Sequence, residues 1–420
     1  TRTDILSNIV GWINDGRNDV PRVLWLSGPA GTGKSAIAHT IAGSFIRVGP
    51  LGSCYYFDRN TNDRYQKVFT TIARDLADRH PEMRRVLADA VKNETALKTT
   101  ANVVQQWQKF LVGPLRKLSE SPMGPVVIVI DALDESGEAM ETRSDLLRIF
   151  SGKFQNPAVT RITELPKNFR FIVISRPLCD IQNSFASAQH IRRIRLNGIP
   201  PEVAEHDICA YVSKTLEVLP YSGSKEFTAL AKKADGLFEW ARLAHESIET
   251  PPGLSSDQSF NVIMSRDPVE RERLLYDMYH LILTQIMPKD RHKSSKFQQT
   301  HLAMFCSVIG QILGTAEPFP LNSLNAMLSY LPDESERYKV EVMVERMGSL
   351  FGGATAPSTP IRPVHASFRD FLTDQSHSGG FFVDVPKVQR DLAFASLLSF
   401  NICDLKSSYL PNSEDPYLRE

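Results

Sequence analysis

Residues 28–35 combine glycines, a lysine and a serine at a spacing that suits the binding of phosphate groups. The segment from Gly28 to Ser35 fits the pattern G-x-x-x-x-G-K-[ST] at every fixed position. Glycines allow the backbone to curl so that successive N–H groups point at phosphate oxygens. We expect the Lys34 ammonium to reach the β- and γ-phosphates of a nucleotide and the Ser35 hydroxyl to complete a Mg2+ shell. The residues expected to contact the nucleotide in this loop are Gly28, Pro29, Ala30, Gly31, Thr32, Gly33, Lys34, Ser35 and Ala36.

Acidic residues follow a long aliphatic run further along the chain. Residues 126–130 are all aliphatic, which is the pattern of a strand buried on both faces of a parallel sheet, and Asp131 comes directly after them. A Mg2+ shell beside a P-loop needs an acid at this position, so we assign Asp131 to the metal together with Ser35. Glu135 is placed to orient or deprotonate the attacking water, and Asp134 to help with the metal or the water.

A third candidate site residue, an arginine, follows another apolar run of residues. Residues 169–174 form an aliphatic and aromatic run that ends in Ser175-Arg176-Pro177. An arginine just past such a strand would bring a guanidinium near the γ-phosphate, where it can distinguish a triphosphate from a diphosphate. The alternative is an Arg176 paired with a local acid such as Asp180. The expected catalytic residues are therefore Lys34, Asp131, Asp134, Glu135 and Arg176.

These residues need a parallel α/β sheet to bring them together. Apolar and strand-forming runs predict strands over 23–26, 53–57, 126–130, 169–174 and 190–196, the last with the alternation of an edge strand. A leading helix with Thr3 or Asp4 as its N-cap precedes them, and helices fill 63–120. Arg59, after the second strand, either approaches a phosphate or is solvated beside an acid. The ends of parallel strands meet at one edge, so the sequence predicts an α/β P-loop NTPase fold.

The alternation of strands and helices stops near Gly198, and the remainder reads as mainly helical. Helices are expected over 274–287, 302–313, 319–331, 340–350 and 388–402, with a hairpin tip at 352–360 and a short strand running into a helix over 361–372. Helix, helix, helix, hairpin is the order of a winged helix. The expected segments are a leading helix (1–20), a nucleotide-binding domain (21–198), a small helical domain (199–270), a winged-helix domain (271–375) and a C-terminal helical segment (376–420).

Bulk composition excludes several classes of protein. The 420 residues carry 48 Lys and Arg against 48 Asp and Glu, which gives no support to a nucleic-acid or membrane surface as the main partner. No apolar run is long enough to span a bilayer, and no signal peptide opens the chain. Five scattered cysteines indicate reduced, buried thiols in a cytosolic or nuclear setting and no zinc site, and we expect the cytoplasm. Because the first residue is Thr1, we expect a fragment of a longer protein.

The motifs resemble those of the NACHT group of signal-transduction (STAND) ATPases, and most closely the fungal NOD-like receptors. The residues that carry the resemblance are Trp25–Ser35, Asp131–Glu135, Ser175–Pro177 and Val364–Leu372. The N-terminal part is also similar to the nephrocystin-like P-loop family. A small residue after the metal-binding Asp131, followed by an acidic pair, is a NACHT trait. One departure from the family pattern concerns the base. Many relatives have a Gly-x-Pro whose proline touches the base, whereas this chain has Gly236-Leu237-Phe238 at that place. The preference for adenine or guanine is therefore left open.

The resemblance implies a nucleotide-driven switch of the kind found in innate immunity and heterokaryon incompatibility. The nucleotide-binding, helical and winged-helix domains would close over ADP and open when ATP replaces it, and opening would allow oligomerisation. Effector domains and ligand-sensing repeats, often WD repeats, would lie outside this fragment. By composition alone His365 is more simply a structural histidine, whereas the resemblance implies that it contacts the bound diphosphate.

Three functions remain to be distinguished. The first is a slow, Mg2+-dependent ATPase or GTPase that acts as a signalling switch, since Lys34, Ser35, Asp131 and Glu135 form a full set for phosphoryl transfer to water. The second is a scaffold that holds its nucleotide without hydrolysing it. The third is an AAA+-type, DNA-associated ATPase, which the zero net charge disfavours.

Overall fold

The chain divides into two compact units, Thr1–Ala241 and Arg242–Glu420. The computed structural model describes residues 1–58, 64–117, 124–137, 143–154, 159–216, 224–249, 255–265, 273–287, 295–315, 317–328, 344, 347–353 and 358–399. This division leaves the finer domain boundaries expected from the sequence as predictions.

The first unit is built on a five-stranded sheet in the order β2-β3-β4-β1-β5, and every neighbouring pair of strands is parallel. Each strand confirms a predicted run within two residues at either end, and β5 lies at an edge as its alternation indicated. The α/β fold expected from the sequence is therefore confirmed and is consistent with a P-loop NTPase core. The strands are β1 (Val23–Ser27), β2 (Leu51–Tyr56), β3 (Val126–Asp131), β4 (Phe169–Ser175) and β5 (Ile191–Arg195).

Both faces of this sheet are covered, because successive side chains of a strand point to opposite faces. In β1, Val23 and Trp25 belong to one apolar cluster, and Leu24 and Leu26 belong to another. The aliphatic run of β3 is divided between the same two clusters. A sheet that is buried on both faces explains why β1, β3 and β4 read as nearly continuous apolar runs.

Eleven helices begin within the described part of the first unit, and the last of them continues past Ala241 into the second unit. The leading helix α1 begins at Thr3 and is preceded by Arg2 in a left-handed conformation (φ 57°), so the expected cap at Thr3 or Asp4 is wrong by one or two residues. The helices are α1 (Thr3–Ile13), α2 (Lys34–Val48), α3 (Arg64–Arg79), α4 (Pro81–Asn93), α5 (Val103–Gln106), α6 (Gly113–Lys117), α7 (Ser144–Ser151), α8 (Cys179–Ala186), α9 (Pro201–Leu216), α10 (Ser224–Ala234) and α11 (Phe238–Glu249).

The second unit is mainly helical in the part that the structure describes. Its helices are α12 (Ser256–Met264), α13 (Arg273–Ile286), α14 (Ser295–Gly314), α15 (Leu321–Leu328), α16 (Ala366–Thr373), α17 (Gln375–Ser378) and α18 (Val385–Ser399). Two short antiparallel strands, β6 (Phe351–Gly352) and β7 (Arg362–Pro363), confirm a hairpin before α16. A winged helix remains a prediction here, and most of the helix predicted over 340–350 and residues 400–402 lie outside the described residues.

The cysteines correct one expectation from the sequence. Cys179 is exposed, and Cys54, Cys209 and Cys306 are partly exposed, so none of these four is the fully buried thiol that we expected. All four are free, and Cys403 lies outside the described residues. Burial raises the pKa of Cys54 and of Cys306 to about 11, which keeps both thiols protonated near neutral pH. Among the described residues, no helix has the length and hydropathy needed to cross a bilayer.

Candidate nucleotide-binding site

The loop between β1 and α2 has the curled backbone that its glycines predicted. Gly31 and Gly33 adopt φ angles of 77° and 85°, a region that residues with a Cβ rarely occupy. Helix α2 begins at Lys34 with Gly33 as its N-cap, so its first backbone N–H groups open toward the loop. The Thr32 hydroxyl donates to the Pro29 carbonyl at 2.9 Å and braces the turn. This arrangement offers N–H donors and a positive helix end to an anion.

The Lys34 side chain folds back over the loop. Its Nζ donates to the Pro29 carbonyl at 2.7 Å. The pKa of the Lys34 ammonium is lowered to about 8, mainly by burial and in addition by the charge of Arg176. The carboxylates that act against this shift are those of Asp134, Asp131 and Glu135. Lys34 is therefore within electrostatic range of every other residue for which the sequence predicted a catalytic role.

Ser35 lies near the Asp131 carboxylate. Asp131 ends β3 with 6 % of its surface exposed. The Ala132 N–H donates to Asp131 Oδ1 at 2.8 Å. Burial raises the pKa of the Asp131 carboxyl, and the nearby Ser35 hydroxyl and the Ala132 N–H oppose that rise. A hydroxyl beside a carboxylate is a donor set that Mg2+ accepts while it keeps several waters, so these residues fit the expected metal.

Strand register explains why the three motifs meet. Ser27 at the end of β1 is level with Ser175 at the end of β4, and Ile130 of β3 is level with Val173 of β4. The chain therefore leaves all three strands at the same edge of the sheet. Since β4 lies between β1 and β3, Arg176 emerges between the phosphate-binding loop and the acidic turn.

The acidic turn after β3 has a constrained backbone. Ala132 adopts a left-handed conformation (φ 56°), which is costly for a residue with a Cβ. A 3-10 turn over Leu133–Glu135 follows, and the Glu135 N–H donates to the Ala132 carbonyl at 2.8 Å. This turn leaves Glu135 partly exposed while Asp134 is buried. The two carboxylates of the pair therefore face different surroundings.

Asp134 holds Arg176. The Arg176 backbone N–H donates to Asp134 Oδ1 at 2.9 Å, and Arg176 Nε lies 3.2 Å from Oδ2. The Asp134 side chain is 3 % exposed, and that of Arg176 is 19 % exposed. The alternative expected from the sequence was an ion pair between Arg176 and a local acid such as Asp180. Arg176 does pair with an acid, but the acid is Asp134, and the Asp180 carboxylate accepts a hydrogen bond from Arg143 at 2.8 Å. The expected role of Asp134 on metal or water stays a prediction.

Four residues lie beside the phosphate-binding loop and form what we call the loop-side cluster (Arg2, Asp207, Phe238 and Glu239), of which sequence reasoning singled out only Phe238. The Arg2 guanidinium carbon lies 5.0 Å from the centre of the Phe238 ring, and Arg2 donates to the Thr32 carbonyl at 3.4 Å. The Asp207 carboxylate accepts the Arg2 backbone N–H at 2.8 Å.

Helix α11 completes this cluster at its first residues. The Glu239 N–H donates to the Gly31 carbonyl at 3.1 Å. A Cβ at Gly33 would lie 3.6 Å from Phe238 Cδ2, which is ordinary van der Waals contact. The departure Gly236-Leu237-Phe238 pointed to this place, whereas no motif pointed to Arg2.

His365 lies in the second unit and has partners there. It precedes α16 as the N-cap residue, its Nδ1 lies 2.6 Å from Ser367 Oγ, and that hydroxyl lies 2.8 Å from the Tyr279 hydroxyl. These contacts agree with a structural histidine, and the nucleotide contact implied by the resemblance stays a prediction. Arg59 lies outside the described residues.

Comparison with known proteins supports the P-loop part of this description. The sequence profile of the family described as Nephrocystin 3, N-terminal matches residues 3–176, which include the phosphate-binding loop, the acidic turn and Arg176. This agrees with the nephrocystin-like similarity of the N-terminal part. No curated protein matches the chain in sequence.

Solved structures add a distant likeness. A chain from the "Structure of Drosophila ORC bound to DNA" is similar over 91 % of this chain and 96 % of its own length, with 12 % identity and a TM-score of 0.39. A likeness at that level carries no argument about fold or function. The parallel α/β sheet and the family match are what indicate a P-loop NTPase-like core.

Proposed function

We propose that the first unit binds a nucleoside triphosphate with Mg2+ and hydrolyses it slowly. The observation that carries this proposal is that Ser35, at the start of α2, lies close enough to the buried Asp131 carboxylate at the end of β3 to lower its pKa. Two residues predicted as metal ligands, 96 positions apart, thereby lie near each other and near the lysine expected to bind phosphate. Such a meeting of hydroxyl, carboxylate and ammonium is what phosphoryl transfer to water requires.

The roles of the residues follow from their positions. The loop N–H groups and the start of α2 bind the phosphates, and Lys34 neutralises charge on the β- and γ-phosphates. Ser35 and Asp131 would hold Mg2+, which supplies Lewis-acid stabilisation of charge on the phosphate oxygens. Glu135, the more exposed member of the acidic pair, orients a water and accepts its proton. Arg176 carries a guanidinium from β4 toward the γ-phosphate.

The regulatory part of the proposal rests on the NACHT resemblance. We infer that slow hydrolysis makes each nucleotide state last long enough to be read, with ADP holding a closed form and ATP an open one that oligomerises. His365 would bias the closed form through the diphosphate. Effector and repeat domains outside this chain would transmit the signal in the cytoplasm.

The first test is to denature the purified chain and to identify any released nucleotide by chromatography. Stoichiometric ADP supports both the closed switch and a preference for adenine, whereas GDP keeps the switch and reassigns the base pocket. A chain that releases nothing and binds neither ATP nor GTP with Mg2+ contradicts the proposal. Binding of duplex DNA at low salt would instead favour a DNA-associated ATPase.

The second test replaces the proposed base. Glu135→Gln keeps the size of the side chain but removes its basicity, so we expect ATP hydrolysis to fall by about 10²- to 10⁴-fold while ATP affinity changes little. Glu226→Gln, an exposed residue on α10, is the matched control and should hydrolyse at the wild-type rate. Equal hydrolysis by wild type and Glu135→Gln would remove Glu135 from the mechanism. Tight binding without hydrolysis in the wild type favours the scaffold.

A further inference from the structure

Arg143, at the N-terminus of α7, is a buried cation that carries none of the predicted roles. Its side chain is 2 % exposed, and its Nε donates to Asp180 Oδ2 at 2.8 Å. Its Nη1 donates to the Asp134 carbonyl at 2.7 Å and lies 3.3 Å from the Gly137 carbonyl. A guanidinium with its donors spread over a carboxylate and two carbonyls is fixed in position, because its planar fork cannot rotate away from one partner without losing the others.

Two of these partners are the backbone of the acidic turn itself. The Asp134 carbonyl belongs to the peptide group that leads into Glu135, so the bond from Arg143 fixes the plane of that peptide. The turn begins at the left-handed Ala132, and its backbone bonds include one from the Glu135 N–H to the Ala132 carbonyl at 2.8 Å and one from the Ser136 N–H to the Leu133 carbonyl at 3.2 Å. A short turn with a costly backbone conformation needs an external partner to stay ordered.

Contacts link four residues in series, from Arg176 through Asp134 and Arg143 to Asp180. We call these residues the turn-anchoring cluster (Asp134, Arg143, Arg176 and Asp180). Asp134 receives Arg176 through its carboxylate and Arg143 through its carbonyl. Asp180 receives Arg143 and lies on α8, just after Arg176 in the chain. The two formal positive charges are matched by two negative charges, which makes burial of the cluster tolerable. The turn after β3 is thereby tied to the turn after β4.

We infer that Arg143 is a positioning residue that holds Glu135 and the Asp134–Arg176 pair in their working geometry. This inference rests on the proposed hydrolysis for its kinetic effect. Arg143 acts through the backbone of the acidic turn and does not touch the nucleotide. The phosphate-binding loop has its own bracing from Thr32, so nucleotide binding does not depend on Arg143.

The kinetic test compares catalysis with binding. Arg143→Gln should lower kcat by about 10- to 100-fold, as the loss of a supporting contact does, while the Kd for a fluorescent ADP stays within about twofold. Arg143→Lys keeps the charge opposite Asp180 and should recover part of kcat. Arg148→Ala, on the same helix but 59 % exposed, is the matched control and should leave both quantities unchanged. A kcat of Arg143→Gln equal to that of wild type would overturn the inference.

Amide hydrogen exchange tests the same role without hydrolysis. In Arg143→Gln the amides of residues 132–137 should exchange about tenfold faster, while those of α2 keep their wild-type rates. Unchanged exchange in the turn overturns the positioning role. Faster exchange throughout the first unit, with ADP binding lost, shows that Arg143 only supports the fold and overturns it too. If wild type binds ATP without hydrolysing it, the proposed hydrolysis fails, and the exchange comparison still decides the role of Arg143.

Discussion

Two buried arginines support two parts of the same site in different ways. Arg143 meets oxygen atoms at 2.7 and 2.8 Å, and its strongest partner is a carboxylate. The Arg2 guanidinium makes longer contacts, at 3.4 Å to the Thr32 carbonyl and 3.9 Å to Asp207, and it lies over the face of Phe238. Short, directional bonds fix one geometry, whereas an aromatic face and long polar contacts tolerate small displacements. The comparison indicates a rigid acidic turn and a more adjustable support beside the phosphate-binding loop.

The difference matches what each part of the site has to do. In the proposed mechanism the acidic turn positions a base against a water, and misplacement by about 1 Å can cost 10²-fold in rate. In the same mechanism the phosphate-binding loop would contact a nucleotide that is released and replaced in every cycle. An adjustable support suits that task, because an aromatic face and long polar contacts tolerate small displacements of the loop.

The largest effect on stability is expected from Arg143→Ala. It removes one partner of a buried ion pair and leaves two carbonyls without their donor, so the free energy of unfolding of the first unit should fall by about 3–5 kcal/mol. All four tryptophans lie in the first unit, so urea unfolding of the whole chain followed by tryptophan fluorescence reports this unit. Arg148→Ala should change the free energy by less than about 0.5 kcal/mol. A similar loss in both variants would show that the short contacts of Arg143 contribute no more to the free energy of unfolding than those of an exposed arginine.

A smaller effect is expected from Arg2→Ala. Its side-chain contacts include a long hydrogen bond to the Thr32 carbonyl, a distant ion pair with Asp207 and a cation–π contact with Phe238, so we expect the same measurement to give a loss of about 1–2 kcal/mol. The bond from the Arg2 backbone N–H to Asp207 survives this change, because it does not use the side chain. If Arg2→Ala costs as much as Arg143→Ala, the loop-side cluster is as rigid as the turn-anchoring cluster, and the contrast fails.

Much of the fold was predictable because its signals are local. The run before Asp131 is aliphatic at every position since β3 is buried on both faces, and the glycines of the phosphate-binding loop stand where the backbone needs positive φ angles. The residues that meet at the edge of the sheet were predicted because parallel strands end together. The start of α1 was missed because Arg2 takes a strained conformation that its contact with Asp207 supports, and no local rule foresees such a contact.

The supporting residues of the site were not predictable in the same way. Arg2 and Asp207 are 205 positions apart, and Arg176 and Asp134 are 42 apart. No spacing rule links such residues, since their meeting depends on the strand order and on where each helix packs. An arginine in a sequence is more often solvated than buried, so composition gave no reason to expect Arg2 and Arg143 inside the protein. For Arg176 an ion pair with a local acid such as Asp180 was the alternative to the γ-phosphate role, and the structure pairs it with Asp134.

A double-mutant cycle gives the smallest and sharpest test of the contrast. Phe238→Leu keeps an apolar side chain against Gly33 but removes the aromatic face from Arg2. If the guanidinium is held mainly by that face, Arg2→Ala and Phe238→Leu should couple by about 0.5–1 kcal/mol in the free energy of unfolding. Arg2→Ala combined with the distant Arg148→Ala should be additive and serves as the control cycle. Absence of coupling would show that polar contacts such as those with Thr32 and Asp207 hold the Arg2 side chain in place. The loop-side cluster would then be stabilised by the same kind of contact as the turn-anchoring cluster.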